Sequence, residues 1–166
     1  MNKKGQIWIS AALYTALGII LIGLVLSVGM PFIGKIQMRN TLKQTEKVMF
    51  DIDEVIREVW NEGLGSKRPI FVEIQEGDFV INEDEITWTI ISEDKLGIEP
   101  ETTIKKGNLE IYSKQLGQGY EIELKLKYDA ITLQTDSETS QLSGGYNLVI
   151  EKVNCGTDMC VKIKVA

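Results

Sequence analysis

The chain has 166 residues, of which 43% are hydrophobic and 25% charged, a length that suits one folded domain with one additional segment. Its formal net charge of -6 is unevenly distributed: residues 1–68 carry nine Lys or Arg against six Asp or Glu, whereas residues 69–166 carry nine against eighteen. Because so acidic a C-terminal part repels phosphates, these totals argue against nucleic acid as a partner.

The first predicted element is a long apolar helix over residues 6–34. No charged residue occurs from Gly5 to Gly34. At a helical rise of about 1.5 Å per residue, this run exceeds the roughly 30 Å of hydrocarbon in a bilayer. The alternative is a buried core helix, but a small β domain could not surround so long an apolar rod. We therefore expect a single membrane-spanning helix.

Charged residues on either side of the span bear on its orientation. Lys3 and Lys4 precede the apolar run, and a short basic flank tends to stay in the cytoplasm. Lys35 and Arg39 follow the run and oppose this preference. The leading lysines predict that the C-terminal domain of this single-pass membrane protein is extracytoplasmic.

The predicted helix is preceded by a very short basic leader, Met-Asn-Lys-Lys-Gly, which ends at Gly5 and is followed by Gln6 and then the apolar run. This arrangement resembles the class III signal peptide of type IV pilins, most closely that of archaeal prepilins. The resemblance implies that residues 1–5 are removed by a membrane-embedded prepilin peptidase, which cuts between Gly5 and Gln6. Gly suits a cleavage site because it has no side chain to obstruct a protease cleft. An uncleaved single-pass anchor is the alternative.

The same resemblance implies that the retained helix associates with further copies of itself in the core of a filament. Many pilins carry Glu at the fifth mature position, where this chain has Ser10, so one register-setting contact is absent. Small residues permit close approach of helices; those in this segment include Ala11, Ala12, Ala16, Gly18 and Gly23.

A proline lies near the end of the apolar run. Pro31 cannot donate a hydrogen bond to the carbonyl of Ser27, so we expect a kink or local melting there. The alternative is that Pro31 ends one helix and begins another.

An amphipathic helix is predicted over residues 35–62. Its apolar positions include a stripe spaced by three and four residues: Met49, Ile52, Ile56 and Val59. We expect the stripe to pack on the chain's own sheet, with a short coiled coil as the alternative. Gly63 is predicted to end the helix as a left-handed cap.

From residue 69 the hydrophobic period changes to two, which is typical of β-strands. The predicted strands are 71–74, 79–81, 85–90, 109–112, 120–127, 146–150 and 161–165, separated by turn signals that include residues 76–78. We expect an antiparallel sheet or small sandwich over residues 69–166, and we interpret residues 129–145 as an exposed loop. The predicted fold class is α+β, a long helix whose amphipathic part packs on a sheet.

The two cysteines, Cys155 and Cys160, are predicted to join the last two strands by a disulfide across a hairpin, outside the reducing cytoplasm. Free thiols are the alternative. Because the chain has no His, the usual catalytic triads and zinc sites are not expected. The sequence predicts neither an enzyme nor a cofactor or metal site.

These patterns, with the resemblance, indicate a structural subunit of a type IV pilus-like surface filament that is stored in the membrane after processing. The alternative is a membrane-anchored binding protein that does not polymerise, such as a minor pilin or a single-pass surface receptor. Neither hypothesis identifies what the β domain binds.

Overall fold

The computed structural model describes residues 3–93, 96–136, 142–156 and 158–166, with side chains omitted at 3–7, 31–32 and 142–143. The described residues have an α+β fold, as predicted, in which one long helix precedes eight strands where seven were predicted. Residues 1–38 and 39–166 form two compact units. The elements are α1 (Lys3–Asn61), β1 (Lys67–Ile81), β2 (Glu85–Ser92), β3 (Thr102–Lys106), β4 (Leu109–Leu116), β5 (Gly119–Lys127), β6 (Thr132–Thr135), β7 (Leu142–Cys155) and β8 (Asp158–Val165).

The second unit contains the amphipathic part of α1 and the whole sheet. The predicted stripe of Met49, Ile52, Ile56 and Val59 is at most 1% exposed, and Leu42 extends it towards the N-terminus. Such burial requires a partner surface, which the chain's own sheet supplies. The packing prediction is therefore confirmed, and the stripe is not available to a coiled-coil partner.

All eight strands belong to one sheet, in the order β3-β4-β5-β2-β1-β7-β8-β6, rather than to the two sheets of a sandwich. Every pairing is antiparallel except the parallel pair of β6 and β8. Strand β2 alternates between buried and partly exposed residues over most of its length, as a sheet with one packed face should. Its Trp88 is buried edge-on against Phe79, with ring centroids 5.5 Å apart.

The predicted turn at residues 76–78 is wrong, because β1 continues through it as one strand of 15 residues. Its pairing with β7 shifts register between Ile74 and Phe79. Gly77 has a φ of 93°, which a residue with a side chain rarely adopts. The indole N–H of Trp88 donates to the carbonyl of Glu76 at 2.9 Å. Gly77 therefore marks an irregularity inside a strand, and Trp88 satisfies a backbone oxygen there.

The loop predicted over residues 129–145 is also partly wrong. Residues 132–135 form β6, and β7 begins at Leu142; residues 137–141 lie outside the described part of the chain. Leu133 of β6 is fully buried, and its N–H donates to the carbonyl of Glu83 at 2.7 Å. This contact is between segments distant in sequence, so the local polar pattern did not indicate it. Strand β3 was not predicted either, because four of its five residues are exposed and it lacks the alternation of a half-buried strand.

The predicted left-handed cap at Gly63 is wrong: α1 ends at Asn61, and the left-handed residue is Gly65, with a φ of 84°. One carbonyl of the last helical turn and one just beyond the helix instead accept hydrogen bonds from Lys152 of β7. Its Nζ lies 2.5 Å from the carbonyl oxygen of Trp60 and 3.0 Å from that of Glu62, and 4.9 Å from the centroid of the Trp60 ring. A cation at this end of a helix also complements its dipole.

Replacing Lys152 by Met should lower the free energy of unfolding by about 2 kcal/mol, because hydrogen bonds from a charged donor to the helix carbonyls are lost while the aliphatic stem is kept. Urea unfolding of the full chain in mild detergent, followed by tryptophan fluorescence, measures this change. Lys114→Met, at an exposed position of β4, is the matched control and should change little. Equal effects of the two substitutions would contradict the capping role.

Candidate membrane-spanning and assembly segment

The first unit consists of the N-terminal part of α1, whose apolar side chains are exposed on every side. Trp8 is 79% exposed and Val25 is 71% exposed. Among the described residues, α1 is the one helix that is long and apolar enough to cross a membrane, and none of its most apolar window is buried within the chain. An apolar surface of this extent in water would be very costly, so this segment requires a nonpolar environment.

The polar side chains of the segment are partly satisfied by the helix itself. The hydroxyl of Thr15 donates to the carbonyl of Ala11 at 2.8 Å, and the hydroxyl of Ser27 donates to the carbonyl of Leu24 at 2.9 Å. Polar groups in hydrocarbon are costly unless they are hydrogen-bonded, and these internal bonds meet that need. The two hydroxyls are thus compatible with a lipid environment.

The small residues named from the sequence do not form one cluster. Ala12, Ala16 and Gly23 follow one side of the helix at spacings of four and seven, whereas Ala11 and Gly18 follow an adjacent side. A Cβ added at Gly18 or Gly23 would have no atom within 4 Å. No contact inside the chain therefore requires glycine at these two positions.

The predicted processing site lies in the first turns of α1. The backbone at Gly5 and Gln6 is helical, and their side chains lie outside the described residues. Cleavage at Gly5 therefore stays a prediction, and it would require the first helical turn to open. The helix continues through Pro31, so the expected local melting and the alternative of two separate helices are both wrong. The predicted bend itself is not tested.

The solvent-exposed face of α1 in the second unit carries charges that are separated by sign along the helix. Six side chains spaced by three or four residues form what we call the charged ridge: Arg39, Lys43, Lys47, Asp51, Glu54 and Glu58. The first three are exposed cations; of the last three, Glu54 and Glu58 are exposed and Asp51 is partly exposed. The ridge lies opposite the buried stripe. The like-charged pairs at i,i+4 can be identified from the sequence alone. Only the packing of α1 on the sheet shows that they lie on the exposed side of the helix.

The disulfide between Cys155 and Cys160 is present, with the Cα atoms 5.9 Å apart. The two residues are not directly opposite as predicted, because β7 and β8 continue further into the hairpin: Cys155 pairs with Asp158, and Cys160 with Val153. Cys160 is 1% exposed. The bond therefore joins the two strands diagonally at the end of their ladder.

The charged residues of the sheet form ion pairs on its solvent side. Lys105 and Lys127 approach Glu110 at 2.5 and 3.2 Å, and their hydrogen bonds hold the pKa of that carboxyl below its usual value. Lys125 lies 3.0 Å from Glu123, whose hydrogen bond raises the pKa of the lysine. These are the pairs expected of a solvated strand face.

A second pair of ionisable groups lies where α1 meets the sheet. Burial raises the pKa of Tyr128, and the neighbouring Asp53 raises it further. Asp53 accepts hydrogen bonds from Arg57 at 2.9 Å and from Asn108 at 3.2 Å. The carboxylate thus connects the helix to the sheet, which is a structural role.

An open depression of about 610 Å³ lies beside the β1–β2 turn and is lined mainly by polar side chains. The cation in its wall, Lys162, is already paired with Asp136 at 2.7 Å. Ligand pockets are typically more enclosed and more apolar. Among the described residues, no group of three or more His, Cys, Asp or Glu is placed to hold a metal ion.

Comparison of the chain with models of known protein families, with curated proteins and with solved structures gave no match.

Proposed function

We propose that this chain is a structural subunit of a type IV pilus-like surface filament. The observation that supports it best is the exposed apolar part of α1, because a helix that is apolar on every side needs lipid around it in storage and other apolar helices around it once it leaves the membrane. The Lys-Lys-Gly-Gln sequence at the start of this helix adds the expectation of processing after Gly5.

Other features agree with an extracytoplasmic position of the second unit. A disulfide persists in oxidising compartments and is rare in the cytosol, so the bond between Cys155 and Cys160 favours an exterior location. Lys3 and Lys4, ahead of the span, favour a cytoplasmic N-terminus. In this proposal the β domain forms the filament exterior and determines which surface or partner the filament contacts.

A non-polymerising subunit, such as a minor pilin or a single-pass anchored binding protein, is a second candidate. It is favoured by Ser10, which stands where many pilins carry the Glu that sets subunit register. The two candidates share the membrane span and differ in whether copies associate along the helix.

Intact-mass measurement of the protein from native membranes tests processing. We expect a mature chain that begins at Gln6, shorter than the full sequence by its first five residues. Gly5→Leu should retain the leader, whereas Gly34→Leu, a matched change beyond the predicted cleavage site, should be processed normally. A native chain that still carries Met1 would count against the prepilin reading.

Electron microscopy of material sheared from native cells tests polymerisation. Filaments that contain this chain are expected from the first candidate. A processed chain found only in membranes, with no filaments, would support the minor or anchored subunit instead.

A further inference from the structure

The charged ridge has cations along one half and carboxylates along the other, and its neighbours sharpen this division. Glu46 beside the basic half is bound by Lys106 at 2.5 Å, and Arg57 beside the acidic half is bound by Asp53 at 2.9 Å. These two charges are thus engaged inside the chain, and a third charge of opposite sign, Arg68, binds Glu58 at the end of the acidic half. Each half of the ridge presents charge of a single sign to solvent.

The spacing of the ridge makes it complementary to a displaced copy of itself. Lys43 and Glu54 are separated by eleven residues, as are Lys47 and Glu58; Arg39 and Asp51 are separated by twelve. Eleven residues make about three helical turns, a rise of roughly 16 Å, and therefore return to the same face of the helix. One displacement brings all three cations of one copy level with the three carboxylates of another.

We propose that the charged ridge binds a second copy of this chain in parallel, displaced by about three helical turns, and so sets the register of subunits in the assembly. The inference rests on the proposed function, because anchoring in one membrane brings all copies out on the same side and favours a parallel arrangement. Two parallel copies paired without displacement would place cations opposite cations and carboxylates opposite carboxylates, which is repulsive. The ridge thus supplies a register contact in a chain that has Ser10 in place of Glu.

The central pair, Lys43 of one copy and Glu54 of the other, carries most of this contact. Glu58 at the acidic end also takes Arg68 at 3.1 Å, so part of its charge is already used within the chain. Lys43 and Glu54 are both exposed and lie at the middle of their halves. They are the residues to test first.

Cysteine cross-linking of the full chain in native membranes and in sheared material tests the displacement. A chain with both Lys47→Cys and Glu58→Cys, which keeps Lys43 and Glu54, should form a ladder of covalent multimers on mild oxidation, because each copy offers one partner to the copy above and one to the copy below. Each single substitution alone should give no dimers. Dimers from Lys47→Cys alone, or no cross-linking of the double variant, would overturn the displaced register.

Charge exchange tests the electrostatic origin of the register. Lys43→Glu should reduce assembly by about tenfold, since an attractive exposed pair becomes a repulsive one in every contact. Glu54→Lys should have the same effect, and the two together should restore assembly because the pair is re-formed with reversed polarity. Lys114→Glu on β4 is the control for added negative charge.

The outcomes separate this inference from the proposed function. Filaments that form equally well in all variants would overturn the ridge contact and leave the filament proposal standing. A native chain without filaments would remove the filament proposal, while a ladder of cross-links in the membrane would still support displaced pairing of copies. If the basic half binds anionic lipid instead, the double exchange would not restore assembly, which also overturns the inference.

Discussion

Replacing Gly77 by Ala should lower the free energy of unfolding of the sheet domain by about 3 kcal/mol or more. A Cβ built at Gly77 would lie 2.2 Å from the carbonyl oxygen of Thr89 and 3.1 Å from the indole nitrogen of Trp88. The first atom belongs to the backbone of β2, so relief requires the two strands to separate. The φ of 93° adds backbone strain for any residue with a side chain.

The matched control is Gly117→Ala. Gly117 also has a positive φ, 58°, but a Cβ there would meet no atom within 4 Å. It should therefore cost only the conformational strain, about 1 kcal/mol. Urea unfolding of both full-length variants in mild detergent, followed by tryptophan fluorescence, measures the difference. Equal destabilisation would show that the close approach of β1 and β2 at Gly77 is not tight, contrary to the structure.

Shortening a side chain in the buried stripe of α1 should lower the free energy of unfolding by a similar amount. Ile56 is fully buried between α1 and the sheet, and Ile56→Ala should destabilise the second unit by about 3 kcal/mol through lost apolar contacts and the cavity left behind. Limited proteolysis and urea unfolding in detergent both report this change. Membrane association of Ile56→Ala should be unchanged, because the apolar part of α1 that is the candidate span lies in the first unit.

Ile91→Ala is the matched control for the stripe. Ile91 is 70% exposed on β2, so the same change of side chain should alter stability by no more than about 0.5 kcal/mol. A loss at Ile56 as small as that at Ile91 would contradict the assignment of residues 49–59 to the core, and would reopen a coiled coil as the use of the stripe.

The N-terminal half of the architecture could be predicted because its signals are local and long. An uninterrupted apolar run indicates a spanning helix through composition alone, and a three-four repeat identifies the buried side of an amphipathic one. Both predictions depend on side chains within a few turns of each other. The stripe that included Ile56 was confirmed for that reason. The Pro31 prediction went wrong in part, since a proline penalty is a local cost that the rest of a long helix can offset.

Errors in the sheet came from contacts between distant segments. Gly77 carried an ordinary turn signal, and only the pairing of β1 with both β2 and β7 made it an irregularity within one strand. Leu133 lay in a polar stretch, and its burial depends on β8 and the β1–β2 turn. At the end of α1, the glycine pattern favoured Gly63, but a lysine ninety residues away caps the carbonyls.

The sequence by itself determined that an apolar helix precedes an acidic β domain, because hydrophobic period and charge are properties of neighbouring residues. Its basic leader supplied the pilin resemblance, which stays a proposal. Only the tertiary structure decided which side of α1 the sheet covers, and therefore that Arg39, Lys43 and Lys47 share a free face with Asp51, Glu54 and Glu58. The exposed side of a helix is determined by which side packs against other elements, and this packing depends on contacts between residues far apart in the chain.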